Sequence, residues 1–151
     1  MSAEISRVAQ QVLDRCLCKR TRAAARAITR IYDEEMRVTG LKPTQVELLV
    51  TVAAKSEMSI SALAEELGMD RTTMTRNLRP LEKRGLLALS PEGRHRTRLV
   101  RLTPTGEAAL AGAVGHWERA QAAMERRLGE AGVTSVRRAS AAIASASRTS
   151  G

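Results

Sequence analysis

Between residues 59 and 85, helix-capping residues and helix breakers alternate at a spacing that leaves this stretch few ways to fold. Ser59 is placed to cap a short helix carrying Leu63, Ala64 and Leu67, and Gly68 ends it. Asp70 then caps a second helix, residues 71–84, which Gly85 closes. Only Gly68, Met69 and Asp70 separate the two, which fits the spacing of a helix-turn-helix.

Two short strand candidates follow, residues 86–90 and 97–102, with Pro91, Glu92 and Gly93 supplying the turn chemistry between them. Alternation puts Val100 and Leu102 on one face and Leu99 and Arg101 on the other. The hairpin also carries Arg94, His95, Arg96 and Arg98. His95 has no second His or Cys near it in sequence, so it reads as a surface or phosphate-contacting residue and not as a metal ligand.

The flanks read as long helices. Residues 5–38 form one helical pattern, bent or interrupted near residues 16–19, in which Ile5, Val8, Val12 and Cys16 keep a 3–4 spacing that Ala24, Ile28 and Ile31 resume. Residues 43–54 open on Pro43 and carry an apolar face of Val46, Leu49, Val50 and Ala53. After Thr103-Pro104, the residues Leu110, Val114, Trp117, Gln121, Met124 and Leu128 make a heptad seam. Residues 129–132 are expected to break it before a last Ala-rich helix, 134–147. With no Phe, one Trp and one Tyr, the core must come from aliphatic residues, which favours packed helices over sheet. The expected fold is mainly α: a winged helix-turn-helix core (residues 41–102) with a small antiparallel β-hairpin wing, flanked by long dimerisation helices at 1–38 and 103–148. Neither flank can bury its apolar face alone, so the two pack on each other within one chain or intertwine with a second copy; the second, a two-fold homodimer, is expected.

The formal net charge of +9 predicts attraction to polyanions. No apolar run approaches the roughly 20 residues that span a bilayer, and the first ten residues lack the basic-then-apolar order of a secretion signal. A cytoplasmic protein without a membrane partner is expected, with nucleic acid as the polyanion. The sequence shows no phosphate-binding Gly loop, no paired His ligands and no nucleophile elbow, which argues against an enzyme. No cofactor or metal is expected.

At about 100° per residue, Met74, Leu78 and Leu81 share a narrow stripe of the second helix. Thr72, Arg76, Arg79 and Lys83 gather opposite, with Thr73 and Thr75 flanking. Arg can bond guanine O6 and N7 in parallel, and Thr can meet a base edge or a thymine methyl. Lys83, the Thr hydroxyls and the helix N-terminus suit phosphates. Pro80 removes a backbone donor and orphans the Arg76 carbonyl, so a kink is expected and base reading falls to residues 72–76, with Arg79 at the margin. The basic hairpin tip suits a narrow minor groove.

The segments GLKPTQVELLV, ISALAEELGMDRTTMTRNLRPLEKRGLL and LVRLTPTGE resemble the MarR family of bacterial transcription regulators, and the likeness extends to the long end helices. By resemblance, Thr72, Thr73, Thr75 and Arg76 match groove-reading positions and Arg96 the wing arginine; the helix face and the basic hairpin add Arg79, Lys83, Arg94 and Arg98 as candidate DNA contacts. Where the family usually places an aspartate that orients the wing, this sequence has Arg94; either Glu92 takes over the pairing, the preferred reading, or the wing tip is looser. The resemblance implies a dimeric repressor on a pseudo-palindromic operator in double-stranded DNA, released by a small aromatic or anionic effector. Cys16, Arg22, Arg26, Tyr32 and Trp117 are the candidates to line its pocket. A solvated Arg face and packing aromatics are the alternative.

Cys16 and Cys18, two residues apart on a helix, would lie about 200° apart and could not bond each other there. Basic neighbours suit a reactive thiolate, so a thiol-, redox- or metal-responsive repressor is an alternative to simple packing. An effector-free nucleoid-type DNA-binding protein is the remaining one.

Overall fold

The computed structural model describes residues 2–91, residue 93 and residues 98–148. Six α-helices and three strands lie among them. α1 (Ala3–Arg15) is capped by Ser2, whose hydroxyl accepts from the Ile5 amide at 3.3 Å, and it has no buried residue. The expected interruption falls at Cys16, whose extended backbone (φ −69°, ψ 105°) separates α1 from α2 (Leu17–Met36). Arg20 spans the break, its Nε and one Nη donating to the Asp14 carbonyl at 3.2 and 2.7 Å.

A single 3₁₀ turn, Arg37–Thr39, leads to Gly40 in the left-handed region (φ 65°) and on to α3 (Pro43–Lys55). The buried face of α3 is Val46, Leu48, Leu49 and Val52. Val50 and Ala53, expected on that face, are exposed, and Val50 turns toward α2 and α6 instead.

The helix-turn-helix follows its caps closely. Ser59 Oγ accepts from the Ala62 amide at 3.0 Å to start α4 (Ile60–Glu66). Gly68 (φ 62°) turns the chain, and Asp70 starts α5 (Arg71–Lys83) by accepting from the Thr73 amide at 2.8 Å. Met74, Leu78 and Leu81 have no exposed surface and pack in one core with Leu49, Val52, Leu63 and Val100. Each such side chain contributes about 1.5–3 kcal/mol by leaving water, so the orientation of α5 is firmly set.

The hairpin strands β2 (Leu87–Leu89) and β3 (Leu99–Leu102) form as expected, with Val100 buried, Arg101 exposed and Leu99 and Leu102 between. A third strand, β1 (Glu57–Ser59), was not foreseen. It pairs with the free side of β3 through Glu57↔Arg101, Met58↔Val100 and Ser59↔Leu99, giving the order β1-β3-β2. Three residues carry no readable alternation, and their place is set by the partner strand.

α6 (Pro104–Arg148) leaves helical geometry at Gly129 (φ 66°, ψ 169°), so the break is one residue where four were expected. Its seam is also displaced. The residues packed closest are Gly106, Ala113 and Ala120, seven apart, while Val114, Trp117 and Leu128 keep 46%, 45% and 41% of their surface exposed. Small residues let α6 approach its neighbours and leave the larger ones at its sides. α2 and α6 are joined by Tyr32 Oη donating to Gln121 Oε1 at 2.7 Å and by the Arg119–Glu35 ion pair at 3.3 Å.

Candidate nucleic-acid interface and effector cavity

α5 presents Thr72, Arg76, Arg79 and Lys83 on its exposed side, opposite the fully buried Met74, Leu78 and Leu81. Thr73 and Thr75 lie at the borders, half-buried, and both hydroxyls donate within the helix. Thr73 Oγ1 donates to Asp70 Oδ2 at 2.6 Å and Thr75 Oγ1 to the Arg71 carbonyl at 2.9 Å. Each still offers acceptor lone pairs, but their hydroxyl protons are engaged. The two bonds from Thr73 hold the Asp70 carboxyl below the usual carboxylate range. The start of the helix is thereby fixed, and Asn77 ties its middle to the turn through Met69 Sδ at 3.8 Å. α5 runs through Pro80 to Lys83 as one helix, and past its end Arg84 donates to the Gly40 carbonyl at 2.9 Å.

At the base of the wing, Arg98 is occupied. Its Nε donates to the Ser90 carbonyl at 3.1 Å, closing the hairpin, and its guanidinium lies 3.7 Å from Glu82 of α5. The residue thus braces the wing against α5, a role the sequence did not suggest. Arg94, His95, Arg96 and the expected pairing partner Glu92 lie outside the described residues.

On the other side of α3 lies a cavity of about 630 Å³. Ile28, Tyr32 and Met36 of α2, Val46, Glu47, Val50 and Thr51 of α3, and Leu110, Val114 and Trp117 of α6 contribute to its wall. Tyr32 and Trp117 therefore both line one site. Arg22 and Arg26 do not reach it. They belong to a stretch, residues 17–30, in which every residue but Ile28 is exposed. Cys16 and Cys18 are absent from the wall as well. Cys16 is the partly buried N-cap of α2, its sulfur accepting from the Lys19 amide at 3.4 Å, and Cys18 is exposed. Since Cys16 is not helical, the 200° separation of an unbroken helix does not apply to the pair.

The residue that sequence reasoning missed is Glu47, the one acidic residue between positions 36 and 56. It keeps exposed surface, yet burial against the cavity wall raises its pKa above the ordinary value. Tyr32 is also raised, first by burial and then by Glu125, with Arg137 opposing. Glu125 is reached through Gln121, whose Nε2 donates to Glu125 Oε1 at 2.9 Å.

A sequence profile of the MarR family matches residues 39–96, from the end of the 3₁₀ turn to the wing. The Mycobacterium tuberculosis transcriptional regulator MosR, solved in complex with DNA, is 34% identical over 89% of this chain and 97% of its own, with a TM-score of 0.79. The chain belongs to the MarR family.

MarR-family proteins are DNA-binding transcription regulators and not enzymes, and double-stranded DNA is the partner that this fold implies. CouR, solved bound to p-coumaroyl-CoA, is 25% identical with a TM-score of 0.77, covering 88% of this chain and 94% of its own. An Escherichia coli MarR mutant complexed with operator DNA has the same TM-score at 16% identity, over 87% of this chain and 96% of its own, and shows likeness of fold alone. No curated protein sequence matches the chain. In this MarR-family regulator, no helix among the described residues is long and apolar enough to cross a membrane. Nor do three or more His, Cys, Asp or Glu side chains among them gather to hold a metal ion.

Proposed function

We propose that this MarR-family protein is a dimeric, sequence-specific repressor that reads a pseudo-palindromic operator and is released by a small molecule entering the α2–α3–α6 cavity. The observation that carries the reading is the two-sided build of α5. Three side chains without exposed surface fix it in the core, while Thr72, Arg76, Arg79 and Lys83 stand together outside. Arg76 and Thr72 read base edges, Thr73 and Thr75 contribute as acceptors, and Arg79 and Lys83 sit toward phosphates. Arg94 and Arg96 add positive charge to the DNA contact, and Arg98 braces the base of the hairpin. Residues 41–102 act as the DNA-reading unit and residues 1–38 and 103–148 as the dimerising one. Work in the cytoplasm follows from a DNA target.

The test is selection of bound fragments from the native genomic DNA, followed by competition gel-shift. Half-sites about one helical turn apart, and a large preference over random DNA, are expected. Equal affinity for random DNA would leave an effector-free nucleoid-type protein as the better description.

A second reading rests on the break at Cys16. A peroxide can oxidise one thiolate to a sulfenic acid, which the neighbouring thiol attacks with loss of water to give a Cys16–Cys18 disulfide. Such a bond would fix the α1–α2 junction. Mass spectrometry of alkylated peptides after peroxide, alongside gel-shift, tests it. Unchanged operator binding on full oxidation would remove this reading.

A further inference from the structure

The cavity combines three features that point to the charge of its occupant. Both aromatic side chains of the chain, Tyr32 and Trp117, line it. Among the described residues Glu47 is the only formally charged one of its wall, although the sequence holds 25 Lys and Arg against 16 Asp and Glu. Among the described residues no hydrogen bond or ion pair reaches the Glu47 carboxylate, and Thr51 Oγ1 donates to its backbone carbonyl instead, at 2.8 Å. An anionic ligand would have to enter against that carboxylate with no cation on the wall to receive it. A cation finds a carboxylate to neutralise and two ring faces whose quadrupoles attract positive charge. The apolar remainder, including Ile28, Val46, Leu110 and Val114, suits a bulky hydrocarbon body.

We propose that this cavity takes a lipophilic organic cation, with Glu47 as its counter-charge and the rings of Tyr32 and Trp117 against its positive centre. The proposal deepens the effector-released reading above and rests on it for its regulatory meaning. It also replaces the anionic effector that Arg22 and Arg26 suggested. Charged groups near the site from α6 are Glu125, linked to Tyr32 through Gln121, and Arg137, which also acts on Tyr32. The first of these adds to the negative potential and the second opposes it.

Trp117 is the single tryptophan, so its fluorescence reports occupancy of the cavity without a label. The full-length protein is titrated with tetraphenylphosphonium and, separately, with tetraphenylborate, which has the same shape and the opposite charge. Saturable binding of the phosphonium, one per chain and at least about tenfold tighter than the borate, is expected. Glu47→Gln should weaken the phosphonium at least about tenfold and leave the borate unchanged or tighter. Tyr32→Phe, which keeps the ring and drops the bond to Gln121, should bind the phosphonium nearly as well as the wild type, whereas Tyr32→Leu should not. Equal or tighter borate binding by the wild-type protein, or indifference of the phosphonium to both Glu47→Gln and Tyr32→Leu, would overturn the proposal. So would a Trp117 signal that never responds to the phosphonium, the result expected if a second copy's helix fills the cavity. Gel-shift of the ligand-free protein on genomic fragments reports on α5 alone. A protein that selects DNA but ignores the phosphonium refutes the cavity assignment only, and the converse refutes the operator reading only.

Discussion

Gly106 lies directly against the carbonyl oxygen of Leu86, at a distance that leaves no room for a Cβ. The same carbonyl accepts from the Thr103 amide at 3.2 Å, and Thr103 Oγ1 donates to the Gly85 carbonyl at 2.6 Å while accepting from the Gly106 amide at 3.0 Å. The end of α5, the start of β2 and the first turn of α6 are thereby locked together. The joint thus ties α5, which carries the proposed DNA face, to α6, which walls the cavity.

Gly106→Ala therefore forces backbone apart instead of displacing a flexible side chain. A loss of about 2–3 kcal/mol is expected, at the upper end of overpacking penalties, with a fall in Tm of roughly 5–10 °C. Urea unfolding measures it. A variant as stable as the wild type would mean that the α6 start can shift freely, and the joint would lose its significance.

Arg76→Ala and Arg98→Ala should fail in different ways. Arg76 is exposed on α5, so its loss should reduce discrimination between operator and random DNA by about 1–3 kcal/mol. Arg98 is held by Ser90 and Glu82, so its loss should weaken binding to all DNA by releasing the wing. Glu82→Gln, which removes no positive charge, should reproduce part of the Arg98 defect. Salt-dependent gel-shifts separate the cases, because a lost phosphate contact lowers the salt slope by about one while a loosened brace need not. If Glu82→Gln leaves binding intact and Arg98→Ala lowers the slope, Arg98 is a phosphate ligand.

The contrast between these two arginines shows what a sequence discloses. The helix-turn-helix was legible because its punctuation is local: Ser59, Gly68, Asp70 and Gly85 each act within a turn of their own position. The stripe of Met74, Leu78 and Leu81 was legible because helical period fixes it. The bond from Arg98 to Ser90 depends on hairpin closure, and β1 depends on β3, which no local pattern reports. The α6 seam was misread because Gly106, Ala113 and Ala120 pack closely through lack of bulk, while Val114 and Trp117 supply the stronger apolar signal. The cavity's charge was misread for a related reason: Arg22 and Arg26 precede Tyr32 by only a few turns, yet Glu47 is the one that faces it across the fold.

Asp70 gives the interface a dependence on acid. Its folded pKa lies below the ordinary value because Thr73 donates twice to the charged form. A depressed carboxylate contributes stability that is fully present above its unfolded pKa and is lost as pH falls through the folded one. The loss is therefore expected below about pH 4 and absent at neutrality. Asp70→Ala should lower Tm by a few degrees at pH 7, and Asp70→Asn, which keeps a capping oxygen, by less. Both should show a smaller fall in Tm than wild type between about pH 4 and pH 2.5. Parallel acid dependence in all three proteins would show that other carboxylates govern this range.

The amphipathic α1 supplies the remaining prediction. Ile5, Val8, Val12 and Leu13 are 57%, 46%, 57% and 44% exposed, and no residue of the helix is buried within the chain. A helix of 13 residues is marginal in water unless its apolar face is covered. On α6, Val136 and Ile143 stand equally uncovered beyond the Gly129 break. A second copy that matches these faces against its own would cover both ends at once and set two α5 helices on one duplex. Ile5→Asp with Val12→Asp should therefore weaken dimerisation by about a hundredfold, near 2.8 kcal/mol, and reduce helix content. In analytical ultracentrifugation the wild type should sediment as a dimer and the double variant as a monomer at micromolar concentration. Operator affinity should fall with the dimer, while binding to an isolated half-site should change little. A double variant that remains dimeric would move the interface away from α1 and leave its apolar face to some other cover.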